Sequence, residues 1–90
     1  MATVGKRVLY SGRVQGVGFR ATAQDTAAGF PVGGYVRNLP GGDVELVAEG
    51  EPDAVEGFLA ALANRMAGFI DRVTVHDEPA AGRQGFVVRR

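Results

Sequence analysis

The spacing of apolar residues changes several times along this chain, and each change predicts an element. Residues 6–14, KRVLYSGRV, mix β-branched, aromatic and polar residues in the manner of a first strand. From Phe19 the apolar positions step by three or four, through Ala23 and Ala27 to Phe30, which predicts one face of a helix that Gly29 and Pro31 end. GGYVRNL (33–39) and DVELVAEG (43–50) are two strand-like runs joined by Pro40, Gly41 and Gly42, so they read as a hairpin. Residues 51–66 predict a second helix with a stripe of Val55, Phe58, Leu59, Leu62 and Met66; Pro52 suits its first turn, and Asp53 with Glu56 has the look of a capping box. Residues 70–77 alternate again, and GFVVRR supplies a last short strand.

The order βαββαβ with a terminal strand predicts a single α+β domain over residues 1–90, a ferredoxin-like α/β sandwich with an antiparallel sheet and both helices packed on one face. In that topology the first and second strands run the same way with the third between them. Their carboxyl ends therefore share an edge, roughly 10 Å apart at two strand spacings. The glycine-rich loop after the first strand and Asn38 near the end of the second are expected to face one space, about the size of a phosphate and a water.

Composition narrows what that space can do. The chain has 90 residues, 46% of them hydrophobic, enough for one small core. Ten basic residues balance ten acidic ones, so no global positive field is expected to hold nucleic acid or a membrane, and any anion site must be local. With no cysteine there is no disulfide, thiolate nucleophile or Cys-ligated metal, and the chain suits a reducing cytoplasm. No stretch resembles a signal peptide or a membrane span.

Candidate chemistry centres on GRVQGVGFR, residues 12–20. Gly16 and Gly18 let backbone N–H groups approach a ligand, a helix start follows, and Arg20 adds a planar fork that matches phosphate oxygens. Without further context the same pattern serves equally as an empty strand-to-helix turn. GVGFRA also fits the dinucleotide fingerprint, but the chain is too short for that domain and holds Val36 or Arg37 where the ribose-binding acid belongs. A nucleotide P-loop fails because no Lys-Ser/Thr pair follows the glycines.

GRVQGVGFR together with GYVRNLPGGDVELVAEG (34–50) resembles the two signature segments of the acylphosphatase family. The resemblance is strong over roughly the first 50 residues and rests mainly on element order beyond them. It implies that the loop Gln15, Gly16, Val17, Gly18, Phe19 and Arg20 cradles a phosphate, that Arg20 binds the phosphoryl group and that Asn38 positions the attacking water. It further implies a small acyl phosphate as substrate, inorganic phosphate as product ligand, no cofactor and no metal, in a monomer.

A site this sparse suits an activated substrate. The carboxylate leaving group of an acyl phosphate has a conjugate acid of pKa about 4, so no general acid is needed. His76, the lone histidine, sits in a late strand and reads as an exposed strand residue. Glu45 and Glu49 on one strand face, and Glu51, Asp53 and Glu56 at a helix start, are expected to be explained by solvation and helix capping. Two other functions remain: an RNA-recognition module, disfavoured because the third strand offers no aromatic residue, and a phosphate-binding regulatory or vestigial domain without turnover.

Overall fold

The structure, a computed structural model, describes residues 2–90. The elements are β1 (Val4–Gly12), α1 (Phe19–Ala27), β2 (Gly33–Asn38), β3 (Val44–Gly50), α2 (Pro52–Arg65), β4 (Ile70–Asp77) and β5 (Phe86–Arg89). They form one five-stranded sheet in the order β4-β1-β3-β2-β5. β3 is antiparallel to both neighbours, so β1 and β2 run parallel on either side of it and end at the same edge. The sheet is mixed, not antiparallel throughout as the sequence suggested, because β5 lies parallel to β2. No helix among the described residues is long and apolar enough to cross a membrane.

Side chains alternate between the two sheet faces. Val8, Tyr10, Val36, Leu46 and Ala48 point toward the helices and are 0–2% exposed. α1 covers them with Phe19, Ala23 and Ala27, and α2 with Val55, Phe58 and Leu62. Phe58 meets Phe30 and Phe86 at ring-centroid distances of 6.2 and 5.2 Å, tying the middle of α2 to the segment after α1 and to β5. Arg65 donates to Asp25 and to the Thr26 hydroxyl, both at 2.9 Å, which joins the helices on their outer side.

Two local expectations shift. β1 begins and ends two residues earlier than the 6–14 run suggests. The ladder with β4 slips between Ser11 and Gly12, where Gly12 has φ 129° and a β-carbon would lie 2.6 Å from the Phe69 carbonyl oxygen. Val14, read as a strand residue, is a loop residue plugged into the core at 1% exposure. At α2 the cap is Glu51 with no side-chain cap bond, so Asp53 and Glu56 form no capping box; Pro52 takes the first turn and Asp53 complements the helix dipole there.

The largest correction concerns Glu45 and Glu49. Both are 3% exposed, not solvated. Glu45 accepts from Arg7 Nε at 2.7 Å and Arg37 Nε at 2.6 Å, one guanidinium from each flanking strand. Glu49 accepts from Arg83 Nη1 at 2.7 Å and from the backbone N–H groups of Ala81 and Arg83, which folds the segment between β4 and β5 over the sheet. Burial by itself raises the Glu45 carboxyl, but the bonds from Arg7 and Arg37 outweigh it and hold its pKa below the usual carboxylate range.

A depressed folded-state pKa contributes stability that is complete above the unfolded value, about 4.3, and lost as pH falls through the lower folded value. Glu45→Gln is therefore expected to cost about 1–2 kcal/mol in urea unfolding at pH 7, a modest figure because both guanidinium groups are partly solvated. The gap from wild type should narrow at pH 3. An equal gap at both pH values would mean that the ion pairs contribute nothing.

Candidate active site

β1 leaves the sheet at Gly12 and reaches α1 through residues 13–18. Gly16 and Gly18 have φ of 78° and 80°, a left-handed conformation that a side chain would strain, although each has open space where a β-carbon would stand. Glycine is thus required at these positions by conformation and not by crowding. Gly18 caps α1 without any side-chain cap, and the first turn carries no acidic residue. Among the described residues, no N–H of residues 16–18 donates to another protein atom. These groups, with the positive end of the helix dipole, form an open concave donor set suited to an anion.

Three contacts fix the cradle. Gln15 Nε2 donates to the carbonyls of Leu39 and Asp43, both at 2.8 Å, and so clamps the loop to the β2–β3 turn. Leu39 N–H to Asp43 O at 2.8 Å closes that turn just beyond Asn38. Phe19, buried at 2%, packs on Tyr10 at 4.8 Å and seats the start of the helix. The Gln15 side chain therefore positions the loop, whatever its backbone does toward a ligand.

Arg20 lies in the first turn of α1 and is partly buried; its Nη1 donates to the Arg89 carbonyl oxygen at 3.2 Å. Asn38 is the last residue of β2 and partly buried on the helix side of the sheet. Both line one cavity of about 360 Å³ with Gly16, Gly18 and Phe19, as the shared edge of β1 and β2 led one to expect. Val17 belongs to the same loop but does not line the cavity. No carboxylate side chain or histidine borders it.

Sequence reasoning missed Gln24 and Arg90, which form the outer wall with Ala21 and Val88. Gln24 was within reach of inspection, since it stands one helical turn beyond Arg20 on the same face. Arg90 gave no such signal, because only the pairing of β5 with β2 brings it there. His76 is exposed on β4, directly across from Arg7 and outside this cavity. His76→Ala is expected to leave turnover within about twofold of wild type, in the range of exposed substitutions away from special features. A large loss in a steady-state assay would bring the imidazole into the chemistry.

An α+β sandwich that presents free loop N–H groups, two arginines and one asparagine to a small pocket at a sheet edge has the donor set of an anion site. The comparisons make this specific. The acylphosphatase family profile matches residues 6–88, and the chain belongs to that family. It is 44% identical over 89 residues to an acylphosphatase of Methanospirillum hungatei, covering 94% of this chain and 98% of that one. It is 48% identical over 82 residues to one from Thermus thermophilus, covering 89% and 92%. The crystal structure of acylphosphatase from Bacillus subtilis superposes with a TM-score of 0.86 at 30% identity, covering 97% of this chain and 99% of that one.

Proposed function

We propose that the loop from Gln15 to Arg20 holds the phosphoryl group of a small acyl phosphate and that Asn38 orients the water that attacks it. The chain is an acylphosphatase, a hydrolase of the carboxyl–phosphate bond, and this assignment gives the loop, Arg20 and Asn38 each a task. Loop N–H groups and the Arg20 fork neutralise the equatorial phosphoryl oxygens as charge builds on them. The Asn38 amide accepts from the water and holds it in line with the scissile bond. The water oxygen bonds to phosphorus while the bond to the acyl oxygen breaks, and its electron pair leaves on the carboxylate. The proton of the water passes to a phosphoryl oxygen, giving inorganic phosphate.

The observation that carries this reading is the single cavity that joins Arg20, Asn38 and the glycine loop without a side-chain nucleophile or acid. A carboxylate leaves without protonation, whereas an alkoxide does not. We expect phosphate release from acetyl or benzoyl phosphate at a rate unchanged by chelator, and slow release from a simple alkyl phosphate. Loss of activity with chelator and its return with a divalent ion would overturn the mechanism. Comparable turnover of the alkyl ester would do the same, and binding of phosphate without any turnover would favour a regulatory domain.

We take a monomer as the working unit and the cytoplasm as its compartment, which the absence of cysteine suits. Sedimentation at assay concentration tests the first point.

A further inference from the structure

The sheet face turned away from the helices gathers charge that the sequence hides. Arg7, Arg37, Arg72 and Arg89 lie on it by strand register, and Arg83 folds over it through Glu49. These are half of the ten basic residues in a chain of zero net charge. Its two strand carboxylates, Glu45 and Glu49, are sunk to 3% exposure beneath the guanidinium groups. Acidic residues collect on the other side instead: Asp25, Asp53 and Glu56 lie on the helices with Glu51 at the cap of α2, and Asp77 lies on the helix side of β4; of these, Asp25 and Asp77 pair with Arg65 and Lys6. A neutral protein is thereby divided into a basic face and an acidic one.

The bonding of these arginines leaves them able to take a ligand. Arg7 and Arg37 each give Nε to Glu45, which fixes the plane of the guanidinium and leaves the terminal nitrogens without a protein partner among the described residues. The two come from the strands that flank β3 and converge on the two oxygens of the one Glu45 carboxylate, which sets their guanidinium groups side by side. Arg89 stacks over the Tyr35 ring at 3.9 Å, and Arg83 stands 5.6 Å from the same ring. Next to Tyr35 in the register is Val87, 48% exposed.

We propose that this face binds single-stranded nucleic acid. Cations alone would suit any polyanion, but all five here are arginines, whose planar forks pair with phosphate and also stack on bases. The Arg89–Tyr35 stack and Val87 add flat and apolar surface between the phosphate-pairing groups, a combination that bases use and an acidic peptide does not. The absence of an aromatic from β3, which argued against this class in the sequence, matters less because Tyr35 on β2 faces the same way. The acidic helix side repels the strand and confines it to the sheet. This surface is separate from the acyl phosphate cavity, whose lining includes none of the five arginines.

Fluorescence anisotropy with a labelled oligouridylate of about twelve nucleotides tests the proposal on the intact chain, at the micromolar affinities usual for non-specific contacts. With about three phosphates neutralised, affinity should fall roughly twentyfold between 50 and 200 mM salt. The double variant Arg72→Glu with Val87→Glu, two exposed positions outside the cavity, should bind at least tenfold more weakly while hydrolysing acyl phosphate as wild type does; the latter also shows that it folds. Absence of binding by wild type at 50 mM salt would overturn the proposal. So would undiminished binding by a folded double variant, displacement by inorganic phosphate at matched ionic strength, or equal affinity for polyglutamate.

Discussion

Asn38→Ala is expected to lower kcat by roughly a hundred- to a thousandfold, the loss seen when one oriented polar group is removed from a reacting centre. Affinity for inorganic phosphate should stay within about twofold of wild type, because the amide is assigned to the water and not to the anion. Asn38 is the last residue of β2, with the turn bond from Leu39 to Asp43 immediately beyond it, so truncation leaves the strand and the cradle in place. Single-turnover kinetics with phosphate titration in parallel separates the two quantities. Preserved kcat would remove Asn38 from the mechanism, and a parallel loss of phosphate affinity would make it a ligand of the anion.

Arg20→Gln is expected to act on the other half of the division. Its kcat/KM should fall on the order of a thousandfold or more, as befits a guanidinium proposed to meet the transferred phosphoryl group. Binding should fail with it. Phosphate at ten times its Kd stabilises a folded domain by about 1.4 kcal/mol, which for a chain of this size is roughly 5–10 °C in Tm. Wild type and Asn38→Ala should both show that increment at matched ionic strength, and Arg20→Gln should show little of it. The increment is the proper readout, since the substitution also removes the bond to the Arg89 carbonyl and lowers the baseline. An unchanged increment would mean that Arg20 is no phosphate ligand and that the loop is a structural turn.

The convergence of these two residues could be read from the sequence because it follows from strand order. A βαβ unit with a strand inserted between its parallel pair puts the loop after β1 and the end of β2 at one edge, whatever the side chains are. Helix faces were equally legible, since Phe19, Ala23 and Ala27, or Val55, Phe58 and Leu62, carry the 3.6-residue period in the residues themselves. Val14 misled because an apolar residue that plugs a core from a loop looks the same as one in a strand. The direction of β5 could not be read, because pairing at an open sheet edge leaves no local pattern. Glu45 and Glu49 were misjudged for a related reason: period two shows that they share a face, but not that Arg7, Arg37 and the segment before β5 come from elsewhere in the chain to cover it.

The hydrogen bond from Arg20 to Arg89 also bears on when the site comes into being. Gly16, Arg20 and Asn38 are all made early, yet the guanidinium is held by a strand that leaves the ribosome about fifty residues later, several seconds at ordinary rates of synthesis. Until β5 docks against β2, Arg20 has no carbonyl to rest on, and Val88 and Arg90 have not completed the pocket wall. A nascent chain carrying the whole glycine loop and the asparagine thus holds the proposed site residues without the full pocket around them. On the proposed roles of these residues, hydrolysis is expected to begin only when the sheet is finished.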